Sequence, residues 1–253
     1  MKTKICTLTT LILLSTTVYS YAFYNIDGDL NDWGIDLTDP QAQNKHYLDN
    51  HTPIGSNIDF FTEDNTDKFQ GSQYVGPGYS NGNRYDAEAI YFDNDAQYAY
   101  IAIVTGVSSS ENSFPAGDIF LDSIDPTGNQ QYHYGIDIIT GEFYFVDSWI
   151  DVDYSDHQSA SPWKIGDNKT LLGQADLFYT TQDINSHYVI EARVPLAWMG
   201  IGTSSSTDIW LHWTMRCGND TVDLKGTVHS TPEPATFFLL LNGFWGFFFL
   251  RKK

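Results

Sequence analysis

Asp208-Ile-Trp-Leu-His-Trp-Thr-Met-Arg-Cys217 decides the fold class. Its odd positions, Ile209, Leu211, Trp213, Met215 and Cys217, are all apolar, whereas its even positions are Trp210, His212, Thr214 and Arg216. A period of two belongs to a strand with one face on a core and the other turned outward. Tyr98–Val104 reads differently, because Tyr98, Tyr100 and Ala102 on one side and Ala99, Ile101 and Ile103 on the other are both apolar. That pattern places the strand centrally, in a sheet covered on both faces.

Outward from these two stretches, Tyr85–Phe92 and Tyr98–Val104 flank Asp93-Asn94-Asp95-Ala96, a hairpin signal. Asp118–Leu121, Glu142–Asp147 and Thr221–Val228 read as further strands. Tyr132, Tyr134, Ile136 and Ile138 alternate as one inward face, and Tyr188, Ile190, Ala192 and Val194 as another, with Glu191 and Arg193 opposite. No repeat, coiled coil or helix of ordinary length interrupts them. The sequence therefore predicts an all-β chain, an antiparallel β-sandwich of jelly-roll-like form. Two stretches are too long for plain connectors. Gln41–Arg84 has few strand signals apart from Asn57–Thr62 and carries Tyr74, Tyr79 and Tyr85 among Gly, Asn and Ser; Asp151–Lys169 is acidic at first and then presents Trp163. Loops of this length in a compact domain are functional or disordered.

The ends of the chain read as addresses. Lys2 and Lys4, the apolar run Ile5–Val18 and Ser20-Tyr21-Ala22 form a secretory signal peptide over 1–22, leaving a β-sandwich domain over 23–230. Residues 231–253 contain Pro232-Glu233-Pro234, an almost wholly apolar run Phe237–Leu250, and Arg251-Lys252-Lys253. The prolines separate this tail from the folded body. Its apolar run is short of the roughly 20 residues of a stable span, which predicts transient membrane insertion. Motif, apolar helix and basic terminus in this order resemble the PEP-CTERM sorting signal. That resemblance implies an exosortase-type membrane processing enzyme as partner, and localisation to the cell envelope, outer surface or extracellular matrix of a Gram-negative bacterium.

Between the two addresses lie 8 basic and 31 acidic side chains, a net charge of −23. Such a body repels nucleic acid and anionic membranes, and suits neutral ligands or divalent cations. With Cys6 lost in the leader, Cys217 is left without an intramolecular disulfide partner.

The stretches Ile26-Asp-Gly-Asp-Leu-Asn-Asp-Trp33, Tyr98-Ala-Tyr-Ile-Ala-Ile-Val104, Gly117-Asp-Ile-Phe-Leu-Asp122, Val189-Ile-Glu-Ala-Arg-Val-Pro195 and Trp213-Thr-Met-Arg-Cys-Gly-Asn-Asp220 resemble the family 9 carbohydrate-binding module and its DOMON-like relatives. The resemblance implies a β-sandwich that binds sugar or haem, with structural calcium in the sugar-binding members. Sugar rings stack on exposed aromatic faces, and the candidates here are Trp163, Trp149 and Trp210, with Tyr74 and Tyr79 behind them. Haem would require an axial methionine with a second ligand, but Met215 falls on the apolar face of its strand while His212 points the other way. A displayed structural protein with no small ligand is the third reading. The chain has no Gly-x-Ser-x-Gly, His-Glu-x-x-His, phosphate loop or Cys-x-x-Cys, and the sequence supports no catalytic pair; a non-enzyme is expected, with extracellular polysaccharide as partner. Calcium is the one cofactor suggested, held by Asp27 and Asp29 with Asp122, Asp125, Asn219 or Asp220, all at turns. Truncation after Ser230 should leave the melting temperature unchanged while abolishing surface retention; a large loss of stability would assign the tail to the fold instead.

Overall fold

The computed structural model describes residues 24–44, 46–55, 57–63, 84–123, 132–202 and 205–230. Residues 1–22, Tyr74, Tyr79, Asp125 and residues 231–253, on which the expected signal peptide and sorting signal fall, lie outside the described residues. Strands dominate: β1 (Asp59–Thr62), β2 (Ala87–Asn94), β3 (Tyr98–Thr105), β4 (Ile119–Asp122), β5 (Tyr134–Ile136), β6 (Glu142–Val146), β7 (Trp149–Ile150), β8 (Lys164–Ile165), β9 (Lys169–Gln174), β10 (Asp176–Tyr179), β11 (Tyr188–Pro195), β12 (Thr207–Thr214) and β13 (Thr221–Val228). Short 3-10 turns are the only helical elements among the described residues.

All strand pairs are antiparallel. One sheet has the order β1-β2-β3-β11-β10, a second β13-β12-β4-β5-β6-β9, and β7 pairs with β8 as a separate ribbon. The inner faces of the two large sheets meet in one core. Ile90, Phe92, Ile101, Ile103, Ile190 and Ala192 come from the first sheet, and Ile119, Leu121, Ile136, Phe143, Leu211 and Trp213 from the second. This is the sandwich-like all-β arrangement that alternation implied. β3 is central, between β2 and β11, and Ala99–Thr105 are buried throughout, as apolar residues on both faces require.

What covers the outer faces was less evident. The segment 24–58 lies over the first sheet, where Tyr24, Leu30, Trp33, Ile35 and Leu48 pack on Tyr91, Tyr100, Ala102, Val104 and Val189. Trp33 is fully buried and stacks on Tyr24 at 3.9 Å between centroids. Its Nε1 donates to Glu191 Oε1 (3.0 Å), and the backbone N–H groups of Gly28 (2.6 Å) and Asp27 (3.1 Å) donate to Glu191 Oε2. Gly28 adopts φ +84°, and a Cβ there would meet Thr180 Cγ2 at 2.6 Å. The turn therefore requires glycine both for conformation and for close approach.

The outer face of the second sheet departs from expectation. The even positions of β12 were expected to face solvent, yet His212 and Thr214 are buried and Trp210 is half-buried. The loop 147–165 covers them, because His212 Nε2 meets the Pro162 carbonyl at 2.8 Å and Asp118 N–H donates to the Trp163 carbonyl at 2.8 Å. Gly117 permits this approach, since a Cβ there would lie 2.4 Å from the Thr214 and Trp163 carbonyls. Tyr132 was expected in the core beside Ile136 and Ile138. It instead joins Phe120, Tyr144, Val146 and Ile165 under this loop, where its ring stacks on His212 at 5.4 Å. The strand is only three residues long, so alternation does not extend back to position 132.

Burial pushes the Glu191 carboxyl up to about 7, against the opposing pull of the N–H donors of Gly28, Trp33 and Asp27. Glu191→Gln would turn an amide N–H₂ toward those donors and should cost about 1–3 kcal/mol of stability. The folded protein binds this proton more tightly than the unfolded chain, whose carboxyl titrates near 4.5. The contribution of Glu191 to stability is thus greatest below that value and falls as pH rises toward about 7. Urea unfolding should show the margin of wild type over Glu191→Gln narrowing across this window; a constant margin would contradict the assignment.

Candidate metal centre and ligand groove

Asp86 immediately precedes β2, and its backbone is held by sheet pairing: the Asp86 carbonyl accepts from Gly106 N–H (3.0 Å) and from Thr105 Oγ1 (2.5 Å). Its side chain is fully buried, and neither carboxylate oxygen has a hydrogen-bond donor. Burial, with the charges of Glu88, Glu63 and Asp220 adding to it, holds this carboxyl well above the ordinary carboxylate range. Glu88 carries the neighbouring charge but has its own counter-ion, His187, whose Nδ1 lies 2.6 Å from Glu88 Oε2.

The turn joining β12 to β13 brings Asp220 to the same place. Its Oδ2 accepts from Ala87 N–H (3.0 Å) and its Oδ1 from Thr221 N–H (2.9 Å), while its carbonyl accepts from Thr214 Oγ1 (2.5 Å). Glu63 follows β1, with its N–H donating to the Glu88 carbonyl at 3.1 Å. Glu63, Asp86 and Asp220 each present a carboxylate oxygen within 4.8 Å of the others. Oxygen ligands 2.3–2.6 Å from a calcium ion lie at most about twice that distance apart, so the spacing fits a shared cation.

Tyr85 and Asn219, the chain neighbours of Asp86 and Asp220, line an adjoining groove of about 370 Å³ with Phe114, Tyr154, Asp156, His157 and Cys217. Three aromatic rings form its wall. Tyr85 and Phe114 meet edge-on (5.6 Å, 79°), and Phe114 and Tyr154 are tilted (5.8 Å, 46°). His157 Nδ1 lies 2.9 Å from the Cys217 carbonyl, an acceptor, which assigns the ring proton to Nδ1 and fixes the ring at the groove floor. Tyr154 remains 45% exposed, so its face is available to a ligand.

The tryptophans singled out by sequence lie elsewhere. Trp149 and Trp210 come together against the aromatic cluster beneath the loop 147–165, both half-buried, with Lys225 Nζ 5.2 Å from the Trp210 ring. Trp163 is half-buried, flanked by Arg216 and Lys164 at 5.7 Å each, and its indole N–H is buried without an acceptor. None of the three lines the groove.

Of the ligands expected for calcium, Asp220 joins the triad and Asn219 the groove. Asp27 and Asp29 serve their own turn: Asp27 Oδ1 accepts from Asp29 N–H, and Asp29 Oδ1 from Asn31 N–H. Asp122 is buried on β4 with its Oδ2 2.6 Å from His133 Nδ1. Glu63 and Asp86 were not foreseen. The available signal was an acid at 86 and another at 88 in a strand otherwise apolar, where buried charge needs a partner. Met199 and Met215 are both buried in the core between the sheets.

Compared with known proteins, the chain matches no family model, no curated protein and no solved structure.

Tyr85 and Phe114 support one another, whereas Tyr154 sits on the exposed side of the groove. Tyr154→Ala should therefore leave the melting temperature within about 2 °C of wild type, the usual consequence of a surface change, while Phe114→Ala should lower it measurably. Equal losses for both variants would place Tyr154 in the core.

Proposed function

We propose that this chain is an exported, non-catalytic carbohydrate-binding protein of the cell envelope or extracellular matrix, sorted by an exosortase-type enzyme acting on its Pro232-Glu233-Pro234 tail. The observation that carries the binding reading is the groove walled by Tyr85, Phe114 and Tyr154, with Asp156 and Asn219 among its polar groups. Apolar ring faces of sugars stack on such aromatics while carboxylate and amide groups satisfy the hydroxyls. The rings are inclined to one another and do not form a plane. A cleft of this shape suits the end or a bend of a glycan chain better than a flat crystalline surface. The charge of the body favours a neutral or cationic sugar over an anionic one. A jelly-roll-like sandwich is the scaffold this reading takes from the resemblance to the family 9 carbohydrate-binding module.

The test is a panel of neutral, cationic and anionic oligosaccharides presented to the purified full-length protein. Neutral or cationic glycans should bind, and Tyr154→Ala should weaken them about 2- to 10-fold, the equivalent of one aromatic contact of about 0.5–1.5 kcal/mol. Absence of binding across the panel, or binding indifferent to Tyr154→Ala, would overturn the assignment to this groove.

A further inference from the structure

The geometry points to a divalent-cation site, filled by calcium, in which Glu63, Asp86 and Asp220 converge at the end of the two sheets beside the groove. Convergence of acids would by itself mean little on so acidic a chain. The deciding feature is Asp86, which is fully enclosed, presents a carboxylate oxygen to the cluster and meets no basic or backbone donor, only the carboxylate of Asp220 beside it. A buried carboxylate without donors must either keep a proton or meet a cation. Its neighbour Glu88 is already matched by His187, and Arg84 is committed to Glu111 at 2.6 Å.

Asp220 is prepared differently. Each of its oxygens accepts one backbone N–H, which fixes the carboxylate plane. The three ligands come from the end of β1, the start of β2 and the β12–β13 turn, so the site is assembled by strand pairing and not by a local loop. The three converging ligand atoms are hard carboxylate oxygens, and a site pooled from three separate segments suits calcium, which tolerates irregular geometry, better than magnesium, which demands a near-ideal octahedron. Zinc prefers nitrogen or sulfur ligands, which this cluster does not contain.

The ion would also act on the groove. Tyr85 and Asn219 are each one residue from a ligand, so fixing Asp86 and Asp220 fixes two of the groove's lining residues. This coupling rests on the carbohydrate reading; the cation site does not.

The experiment is a thermal melt of the full-length protein stripped with chelator and then titrated with calcium. Native-state binding should raise the melting temperature saturably, by about 5–10 °C at a hundredfold excess over Kd. Asp86→Asn should abolish the rise and melt above stripped wild type, because an amide needs neither counter-ion nor proton uptake to be buried, while Asp27→Asn should retain the full rise. No shift with calcium, or a shift that survives Asp86→Asn, overturns the site. Should Asp86→Asn fail to fold, terbium emission excited through tyrosine in the wild-type protein and competed away by calcium supports it, and no competition overturns it. A calcium shift in a protein that binds no glycan sustains the cation site and refutes the carbohydrate reading. Glycan binding unaltered by chelator, with the calcium shift present, refutes only the coupling.

Discussion

A buried carboxylate that accepts hydrogen bonds from a distant part of the chain is the interaction on which this structure depends. Glu88, Asp93, Asp118, Asp122, Glu191 and Asp220 are all buried, and each is provided for. Asp118 accepts from Ile138 (3.0 Å) and Ile165 (2.8 Å), which limits the rise that burial imposes on its carboxyl to about 6. Asp93 accepts from Tyr24 Oη at 2.7 Å. Asp122 faces His133, and Glu88 faces His187. A chain with so great an excess of acid has few lysines or arginines to spare for its interior, so backbone N–H groups and histidines take that part. Asp86 is the departure from the rule, and it is the departure that marks a site.

These contacts decide how the layers assemble. Apolar alternation is sufficient to bring two sheets together over a common core, but it does not say what lies on their outer faces. Glu191 draws the first turn of the described chain onto one sheet through Gly28 and Trp33. Asp118 draws β8 onto the other. Asp220 ties the β12–β13 turn to the start of β2 and so joins the two sheets at one end. Buried polar side chains thus align segments whose sequence is otherwise irregular, and the apolar side chains beside them, Trp33 and Ile165 among them, supply the burial.

The strands legible in the sequence were those with a face on the core. β3, β11 and β13 could be read to within a residue, because both-sided or alternating apolar residues leave one arrangement open, whereas β12 was read three residues too far, since apolar alternation continues through Met215 and Cys217 after the strand ends at Thr214. β9 and β10 went unread. They are edge strands of the two sheets, whose inward Leu172, Leu177 and Tyr179 are only half-buried while Leu171 and Phe178 beside them are apolar and exposed, so hydrophobicity does not mark which face is inward. The covered even face of β12 was illegible for a related reason. Trp210, His212 and Thr214 read as outward because each can be, and only the loop carrying Pro162 makes them interior. The triad lies further still from sequence logic: residues 63, 86 and 220 share no spacing, and Asp220 was visible only as one of many acids at turns. What brings them together is the pairing of β1 with β2 and the contact of β12–β13 with the start of β2.

The two kinds of attachment, backbone ladder and side chain, have a kinetic consequence. The amides of β3 and β11 are locked in ladders with a neighbour on either side and can exchange with solvent only when the sheets themselves come apart. The covers of the outer faces are held instead by side chains over apolar clusters of their own: Tyr24 on Asp93, His187 on the Ala42 carbonyl and Asn185 on the Leu37 and Asp39 carbonyls beside Glu191 on one sheet, and His212 on the Pro162 carbonyl beside Asp118 on the other. Exchange of the ladder amides should therefore require the larger opening, and exchange under the covers a smaller one in which several side-chain contacts break together.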